Sequence, residues 1–331
     1  MGNKPLLTIA IPTYNRSSLL LRCLQSLIPQ MKPEYNVEII IYDNASIDDT
    51  SKILGNFTHL NYFKYVRNDS NIGPDLNIAK SYYQASGQYV HVFGDDDVFL
   101  PGYLDHIIPL LTNYKYGAIF LNYYEFLNDW KAEAPKDTRK HWNYSYDKYI
   151  FEVIRSRIGF ISAFIINTSY VDKHRLISEA GTNLNHVSLY TRSICGIDNN
   201  LYISKCLLAQ QSGNSGGFNY FKVFGENQFN VLKDASNGDF FIIKMVFDEL
   251  FICLFPTLII KIRINRIKNI QNNFSQFLEP WSASLKSYNI FLKPIIKLPI
   301  LLALVYIIPI KIISFISKFK IREPKHYKNK F

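Results

Sequence analysis

Three consecutive aspartates are the residues of this 331-residue chain whose type and spacing point most directly to chemistry. Asp95, Asp96 and Asp97 follow Gly94 at the end of an apolar segment. Adjacent carboxylates repel one another unless a cation neutralises them. Carboxylate oxygens suit Mg²⁺ or Mn²⁺, and Mg²⁺ is usually held by one or two carboxylates together with phosphate oxygens. The triplet therefore predicts a divalent metal site that also receives a phosphorylated ligand, with solvated-loop and helix-cap roles as the alternatives.

The elements that position these aspartates follow an α/β pattern. From Leu6 to about Tyr124, short apolar runs alternate with helical periodicity, which indicates a mostly parallel sheet. The predicted strands are Leu6–Ile11, Val37–Tyr42, Tyr62–Val66, Tyr89–Phe93 and Ala118–Leu121, and the predicted helices are Ser17–Ile28, Asp48–Leu54 and Pro74–Tyr83. Polar clusters follow the first four strands, at residues 12–16, 43–46, 67–68 and 94–97. Because ligands bind at the carboxyl ends of the strands in such sheets, we expect the four clusters to form one site.

The rest of the chain changes character twice. Beyond Tyr124 a polar, aromatic stretch predicts a surface loop or a short helix pair, followed by strands at Phe160–Ile166 and Lys205–Gln210. From about Asn219 the pattern becomes that of basic, amphipathic helices. We therefore predict one domain at residues 1–218, divided near residue 125, and a helical region at residues 219–331.

A net charge of +10 implies an anionic partner. In the C-terminal region the basic residues alternate with aliphatic residues rather than with exposed aromatic ones, which argues against nucleic acid. The longest uncharged piece, Leu298 to Ile310, is shorter than the roughly 20 apolar residues that cross a bilayer. We expect this region to form a lysine-rich helical hairpin on an anionic membrane surface, with a core helix or a dimer interface as the alternative.

The cysteines and the first residues bear on the compartment. Four cysteines are scattered without CxxC spacing, so neither a zinc site nor a disulfide framework is predicted. The sequence MGNKPLLTIAIPTYN lacks the basic, apolar and small-residue pattern of a signal peptide. We expect a cytoplasmic protein that is peripherally associated with the inner face of the cell membrane.

Four motifs in the first 125 residues occur in a recognisable order: IPTYNR, VEIIIYDNASIDDT, RNDSNIGPDL and YVHVFGDDDVFLPGYL. The series resembles the family 2 glycosyltransferases, especially the bacterial enzymes of the abequosyltransferase-like kind that add sugars to O-antigen, capsule or other polyprenyl-linked glycans. The resemblance implies the GT-A fold, a Rossmann-like and mostly parallel mixed sheet. It also implies inverting transfer of a sugar from a nucleoside-diphosphate donor to a lipid-linked glycan acceptor. Residues 1–125 would then be the nucleotide-binding half and residues 126–218 the acceptor-side half.

The resemblance also implies roles for residues at matching positions. Asp43 would accept hydrogen bonds from the nucleotide base. The full set implied in donor binding is Pro12, Thr13, Tyr14, Arg16, Asp43, Asn44, Ser46, Asn71, Gly73, Asn77, Asp95 and Asp96. Asp96 and Asp97 would be the ligands of Mn²⁺ or Mg²⁺. Turn and cap roles are open for Asn44, Ser46 and Asn71, alone or in addition.

The aspartate motif departs from the commonest family form. Many members read D-x-D-D before an apolar-apolar-x-Pro run, and counting back from Pro101 places Gly94 at the first of those aspartates. Asp96 then matches the metal-binding carboxylate, and Asp95 could contact the ribose or the metal. A D-x-D in another register, Asp95 to Asp97, leaves the assignment open by one residue.

Inversion requires a base that takes the proton of the acceptor hydroxyl. Family members often carry this base in an acidic, Glu-Asp-like motif, which has no clean match in this chain. His186, within GTNLNH, resembles a histidine that abequosyltransferase-like members carry near that place, and neutral imidazole could act as base or metal ligand. Glu179 is the alternative base, and structural roles are open for both. Asp172 and Asp198 are weaker candidates.

Two other functions stay open at this point. A metal-dependent nucleotidyltransferase would also place carboxylates near a nucleotide, but IPTYNRSSLL lacks the glycine-rich basic loop of such enzymes. A non-catalytic, membrane-associated binding protein would need only the basic C-terminal region, with a degenerate transferase domain. The intact aspartates argue against that second alternative.

Overall fold

The computed structural model describes residues 4–136, 141–213, 219–264, 277–278, 282, 284–319 and 326–330 of the chain. The chain divides into two units. Unit 1 consists of residues 1–150, 159–215 and 327–331, and unit 2 of residues 151–158 and 216–326. The predicted domain division after residue 218 concerns independent folding and stays a prediction.

The predicted alternation of strands and helices is present in unit 1. The strands of the described chain are β1 (Leu7–Thr13), β2 (Val37–Asp43), β3 (Phe63–Arg67), β4 (Tyr89–Val92), β5 (Val98–Phe99), β6 (Ala118–Phe126), β7 (Asn143–Tyr146), β8 (Phe164–Asn167), β9 (Asn200–Gln211) and β10 (Asn329–Lys330). The helices are α1 (Ser17–Leu27), α2 (Thr50–Gly55), α3 (Pro74–Tyr83), α4 (Tyr103–Asn113), α5 (Phe151–Ile154), α6 (Lys173–Ser178), α7 (Asn185–Cys195), α8 (Gln228–Ala235), α9 (Phe240–Glu249), α10 (Phe255–Arg263), α11 (Lys293–Lys297) and α12 (Ile300–Phe319). Helices α5 and α8 to α12 belong to unit 2.

The described strands form one mixed sheet. Nine strands lie in the order β10-β7-β9-β6-β8-β4-β1-β2-β3, and β5 pairs with β9. The block β3-β2-β1-β4 is parallel throughout. Strand β2, with the sequence VEIIIYD, is buried at every position, as expected of a parallel strand that is covered on both faces. The predicted α/β class is confirmed.

Parallel pairing places the ends of three strands in one row. Thr13 of β1 is in register with Asp43 of β2, and Asp43 is in register with Arg67 of β3. Strand β4 pairs with the other side of β1, with Val92 opposite Ala10, so the chain leaves β4 near the same edge. The four polar clusters therefore meet at the carboxyl edge of the parallel block.

Two predicted elements in the second half of unit 1 are wrong in their extent. The predicted strand Phe160–Ile166 begins as a 3₁₀ turn, Ile161–Ala163, and forms β8 only after it. The turn is held because Ser162 is fully buried and uses its hydroxyl and its carbonyl for hydrogen bonds to residues of β4 and the aspartate turn. The predicted strand Lys205–Gln210 is the last part of the 12-residue β9. The stretch predicted as a loop or helix pair contains β7.

Unit 2 is helical in its described part, as the pattern after Asn219 predicts. Aromatic side chains pack in its interior, where the ring of Phe251 lies 5.7 Å from that of Phe247 and 6.0 Å from that of Phe255, measured between centroids. No helix within the described ranges is long and apolar enough to cross a membrane.

Candidate active site

Asp95 lies beside the end of β1 and is almost fully buried. The Thr13 hydroxyl donates a hydrogen bond to Asp95 Oδ2 at 2.7 Å. Arg16 Nη1 lies 3.1 Å from Asp95 Oδ1 and 3.1 Å from Asp96 Oδ2. One guanidinium nitrogen thus contacts both carboxylates, so their charges converge on a single cationic position.

Burial raises the pKa of the Asp95 carboxyl to about 6, and the charge of Arg16 offsets only part of that effect. A carboxyl group with a raised pKa is ionised at neutral pH at a free-energy cost, which a further cation reduces. The Arg16 side chain is 43% exposed, so it is held at the carboxylates less firmly than a buried partner would be. The pair Asp95 and Asp96 is therefore suited to exchange Arg16 for another cation.

Asp97 is buried, and both of its carboxylate oxygens accept hydrogen bonds from the protein. The Ser162 hydroxyl donates to Oδ2 at 2.6 Å, and the Gln211 backbone N–H donates to Oδ1 at 3.0 Å. Burial raises the pKa of this carboxyl well above its ordinary value. Asp97 thus ties the aspartate turn to the 3₁₀ turn before β8 and to the end of β9. This geometry gives Asp97 a positioning role and does not support its predicted role as a metal ligand.

Gly94 leaves room for the carboxylates of Asp96 and Asp97. Its N–H donates to the Ser162 hydroxyl at 2.8 Å. A Cβ atom at this position would lie 2.9 Å from Asp97 Oδ2 and 3.0 Å from Asp96 Oδ1, which is closer than side chains tolerate without a shift. The departure from the family's D-x-D-D form is therefore matched by the local packing, because an aspartate at residue 94 would displace the other carboxylates.

Asp43 is fully buried and holds three donors. The backbone N–H of Ser46 donates to Oδ1 at 2.8 Å. The Tyr65 hydroxyl and Arg67 Nη1 donate to Oδ2 at 2.7 Å and 2.9 Å. Because the carboxylate has no exposed surface, a base could reach it only if Tyr65 or Arg67 moved, and Arg67 is 42% exposed. The structure therefore places Asp43 at the carboxyl edge of the sheet, as predicted, with Arg67 between its carboxylate and the solvent.

The loop before α3 is fixed by the buried amide of Asn44. Asn44 Nδ2 donates to Asn71 Oδ1 at 2.8 Å, and Asn44 Oδ1 accepts from the Ile72 N–H at 3.0 Å. Gly73 has φ +86°, a conformation that favours glycine, and Pro74 starts α3 directly after it. Asn44, Asn71 and Gly73 thus act together as the support of one loop, which agrees with the turn roles that the sequence left open.

Asn77 is 3% exposed, and its amide is used inside the protein. Nδ2 donates to the Tyr42 carbonyl at 2.9 Å, and Oδ1 accepts from Asn68 Nδ2 at 3.0 Å. Asn77 therefore joins α3 to the end of β2. Its predicted contact with a donor gets no support from this arrangement.

The loops after β1 and β2 are bound to each other. Asn15 has φ +53°, its N–H donates to the Ser46 hydroxyl at 2.9 Å, and its Oδ1 accepts from the Ile47 N–H at 2.8 Å. Between Pro12, which is half-buried, and Asn15, the ring of Tyr14 is 41% exposed. The structure thus presents Tyr14 as an accessible aromatic face at the carboxyl edge of β1.

His186 lies in the first turn of α7 and is buried. Its Nε2 lies 3.2 Å from the Gly159 carbonyl oxygen, so this nitrogen carries the proton of the neutral ring. Nδ1 is then the unprotonated nitrogen, and it is buried without a hydrogen-bond partner among the described residues. Burial lowers the pKa of His186 below its ordinary value, which keeps the ring neutral near pH 7. Nδ1 of His186 is therefore an unpaired basic nitrogen inside the protein, and a hydroxyl group could reach it only if the groups that cover it moved.

The loop before His186 is anchored on α3. Asp75 Oδ2 accepts from the N–H groups of Gly181 and Asn183 at 2.6 Å and 2.8 Å. Asn185 Nδ2 donates to the Asp75 backbone carbonyl at 2.8 Å. His186 is therefore positioned by the same helix whose first turn follows Gly73.

Glu179 lies at the end of α6 and contacts α7. Its Oε1 accepts from the Ser188 hydroxyl at 2.8 Å and lies 3.8 Å from Arg192 Nη2. These contacts join α6 to α7, so Oε1 of Glu179 has a structural task.

The sequence reasoning missed several residues that complete the site: Tyr65, Arg67, Asp75, Ser162 and Gln211. The polar cluster at residues 67–68 contains Arg67, and the parallel register of β2 and β3 is the signal that places Arg67 beside Asp43. Ser162 and Gln211 lie 65 and 114 residues after Asp97, and no local pattern indicates either contact.

Residues 8–168 match the model of Glycosyl transferase family 2. The chain contains a family 2 glycosyltransferase domain. The matched range holds the aspartate turn, Asp43, Arg16 and Ser162, and it ends before His186.

Relatives of this glycosyltransferase domain are bacterial sugar transferases. Abequosyltransferase RfbV of Salmonella typhimurium is 40% identical over 94 residues, which are 28% of this chain and 28% of that protein. The GalNAc(5)-diNAcBac-PP-undecaprenol beta-1,3-glucosyltransferase of Campylobacter jejuni is 32% identical over 122 residues, which are 36% of this chain and 38% of that protein. Each match spans less than half of the relative.

A solved structure shares the fold over most of its length. The S. aureus TarS fragment in complex with UDP-GlcNAc superposes with a TM-score of 0.59 and 14% identity, covering 94% of this chain and 91% of that one. The predicted GT-A fold of the glycosyltransferase domain is confirmed.

The positions of Asp95 and Asp96 fit the binding of a divalent cation. Asp95 and Asp96 direct one oxygen each to the same Arg16 nitrogen, so two hard ligands already converge. Within the described ranges no group of three or more His, Cys, Asp or Glu side chains could hold a metal. The protein would therefore supply two carboxylates, and phosphate and water oxygens would supply the remaining ligands, as is usual for Mg²⁺.

Proposed function

We propose that this protein is an inverting glycosyltransferase that transfers a sugar from a nucleoside-diphosphate donor to a lipid-linked glycan acceptor in bacterial surface polysaccharide synthesis. The observation that carries the proposal is the convergence of Asp95 and Asp96 on one cationic position in a family 2 domain. The row Thr13, Asp43 and Arg67 lies at the same sheet edge and supplies the nucleotide side. The TarS structure, which holds UDP-GlcNAc on the same fold, supports this class of donor.

The donor residues divide into contacting and supporting groups. Tyr14 offers its exposed ring to the base or ribose, and Arg67, with Asp43 behind it, offers a guanidinium that can move. Ser46 holds the loop after β1, while Asn44 and Asn71 hold the loop at Gly73. Pro12, Thr13 and Asn77 fix the ends of β1 and β2 from within the protein.

Mn²⁺ or Mg²⁺ would be held by Asp96 and Asp95, with Asp97 positioning both. The ion supplies positive charge for the leaving nucleoside diphosphate. Arg16, released from the carboxylates, would then be free to contact the diphosphate. Every charge of the aspartate pair would thus stay compensated with and without donor.

We propose His186 as the base. Nδ1 accepts the proton of the acceptor hydroxyl while the hydroxyl oxygen attacks the anomeric carbon opposite the departing diphosphate, which inverts the configuration. The bond from Nε2–H to the Gly159 carbonyl fixes the tautomer and becomes stronger as the ring gains charge. Glu179 is the second candidate, although it is already hydrogen-bonded to Ser188.

The acceptor side of the proposal rests on a relative and on α12. The name of the Campylobacter jejuni relative specifies an undecaprenol-linked acceptor, which supports a lipid-linked substrate for this chain. The exposed side chains of α12 are mostly apolar, with Lys311 among them: Leu301, Leu302, Leu304, Val305, Ile308, Ile312, Ile313, Phe315 and Ile316. We propose that this face lies on the anionic inner surface of the cell membrane, peripherally and from the cytoplasm.

The experiment that tests the proposal identifies the products. The full chain is incubated with Mn²⁺, a panel of nucleotide sugars and prenyl-diphosphate-linked glycans, and products are followed by ³¹P and ¹H NMR. We expect release of a nucleoside diphosphate and a new glycosidic bond of inverted anomeric configuration. Pyrophosphate among the products would instead indicate a nucleotidyltransferase, and retained configuration would reject the inverting mechanism.

A further inference from the structure

A groove in unit 2 lies between α10 and α12. One part of it, of about 450 Å³, is lined by Thr257, Ile260, Lys261, Ile264, Leu304, Ile307 and Lys311. The neighbouring part, of about 370 Å³, is lined by residues 252–257 on one side and 307–315 on the other. Volumes of this size are typical of sites for small organic ligands, which occupy about 300–1,000 Å³.

The two helices run in opposite directions along the groove. Ile264 shares its part with Leu304, whereas Cys253 shares the other part with Ser314 and Phe315. Helix α12 buries Ala303, Ile307 and Ile310, one narrow stripe, so much of its apolar surface is left beside the groove. The groove is thus an open cleft beside the packed contact of the two helices, and its walls are largely aliphatic.

Two lysines interrupt these aliphatic walls. Lys311 and Thr257 line both parts of the groove, and Lys261 lies one turn of α10 further on, in the first part. Both lysines are exposed, and neither forms an ion pair with a described residue. Exposed cations that have no ion-pair partner among the described residues and lie beside an apolar groove fit a ligand that joins an anionic head to a hydrocarbon chain.

We propose that the α10–α12 groove binds the phosphate or diphosphate head and the adjoining isoprenoid units of the lipid-linked acceptor. The inference rests on the proposed function, which makes the acceptor lipid-linked, and it names the part of the chain that holds the lipid. Lys261 and Lys311 pair with the phosphate oxygens, and Thr257 donates a hydrogen bond to them. Ile260, Leu304 and Ile307 contact the isoprenoid chain of the ligand.

Farnesyl diphosphate is a soluble probe that carries both parts of such a ligand. Its binding to the full chain is measured by isothermal titration calorimetry in EDTA, which removes metal-dependent diphosphate binding elsewhere. Inorganic pyrophosphate tests the head alone, and farnesol tests the chain alone. We expect farnesyl diphosphate to bind at least tenfold more tightly than either. Equal binding of pyrophosphate, or no binding of farnesyl diphosphate, would reject the groove as a prenyl phosphate site.

Two variants with matched controls locate the binding. Leu304→Trp fills the groove, and Ile290→Trp adds the same bulk at an exposed position of unit 2 outside it. The double variant Lys261→Gln, Lys311→Gln removes the charges, and Lys233→Gln removes one from an exposed position on α8. We expect at least a tenfold loss of affinity in both groove variants and less than a twofold change in both controls.

A membrane surface and a second copy of the chain are the competing occupants. Leu304→Trp keeps an apolar side chain for a membrane surface, so it should lose affinity for farnesyl diphosphate but not for phosphatidylglycerol vesicles. If it loses affinity for both by the same factor, the groove is part of a general lipid surface and the specific proposal is wrong. Concentration-dependent dimerisation that Leu304→Trp abolishes would also overturn it. The titrations contain no sugar donor, so a failure to bind farnesyl diphosphate would not count against the proposed transferase activity. Likewise, the binding results can be interpreted even if no transferase activity is found.

Discussion

At the residue scale, three adjacent aspartates share one turn but do not share one task. Asp97 is buried and bonded to Ser162 and Gln211, so it holds the turn in place. Asp95 is oriented by Thr13, and Asp96 meets it at Arg16. Without a metal ion, Arg16 is therefore the cation that Asp95 and Asp96 share. A metal ion bound by both carboxylates would have to replace it.

Gly94→Ala tests the crowding of this turn. The added methyl group would lie 2.9 Å from Asp97 Oδ2, so we expect a loss of about 1–3 kcal/mol in the free energy of unfolding, as for other overpacked sites. Chemical denaturation measures it. The control is Gly55→Ala, since no atom lies within 4 Å of the methyl group it would add. An unchanged stability of Gly94→Ala would show that the turn has room to spare.

Arg16→Ala tests the exchange of cations. Removing the guanidinium takes away the cation that Asp95 and Asp96 share, so Mn²⁺ should bind up to about fivefold more tightly in the absence of nucleotide, since exposed ion pairs contribute about 1 kcal/mol or less. Electron paramagnetic resonance of free Mn²⁺ measures this affinity. Lys52→Ala, which removes an exposed charge on α2, should leave it unchanged. Weaker Mn²⁺ binding in Arg16→Ala would contradict competition between the two cations.

His186→Gln tests the proposed base. Glutamine can still donate to the Gly159 carbonyl but has no basic nitrogen, so we expect kcat to fall by about 10²–10⁴-fold while donor KM changes little. Glu179→Gln keeps an acceptor for Ser188 and should lose much less activity. The reverse order of the two variants would make Glu179 the base.

The pH dependence of transfer follows from the same histidine. Burial lowers the pKa of His186 below its ordinary 6.5, against smaller opposing effects of the hydrogen bond to the Gly159 carbonyl and of the charge of Asp75. The ring must be neutral to act as base, so kcat should stay level from neutral pH down to about 6.5 and fall only below that, as the ring gains a proton. A fall that begins above pH 7 would exclude His186 in this environment.

At the element scale, parallel pairing assembles what separate motifs only suggest. Strand β2 brings Asp43 into register with Thr13 on one side and Arg67 on the other, and each loop that follows is bound to its neighbour. The apolar runs of β1 to β4 are readable from the sequence, and so is the convergence of their ends. The bonds of Asp43 to Tyr65 and Arg67 require the register, which the sequence pattern alone does not supply.

Helix α12 carries a prediction of its own. The double variant Val305→Glu, Ile312→Glu places charges on its exposed face, where the two side chains are 64% and 54% exposed. We expect co-sedimentation with anionic vesicles to drop at least about tenfold, because burial of such side chains is worth about 1.5–3 kcal/mol each when complete. Phe240→Glu, at a 52% exposed position of α9, is the control. Unchanged sedimentation of the double variant would refute the membrane face.

At the scale of the whole molecule, the sequence predicts the fold better than the reaction details. Alternating strands and helices indicate the α/β class, and four motifs indicate the family. The contact of Ser162 with Asp97 joins residues far apart in sequence, so only the folded chain shows it. Likewise the pattern after Asn219 predicts helices but not that α12 leaves a groove beside α10.

The most direct test of the central claim is the metal dependence of nucleoside-diphosphate release. Wild type, Asp96→Ala and the control Glu34→Ala, which removes an exposed carboxylate, are compared with a panel of nucleotide sugars in Mn²⁺ and in EDTA. We predict release by wild type and by Glu34→Ala in Mn²⁺, none in EDTA, and a loss of about 10²-fold or more in Asp96→Ala at an unchanged melting temperature. Full release in EDTA, or by Asp96→Ala, would contradict a site in which Asp95 and Asp96 hold a divalent ion against the donor diphosphate.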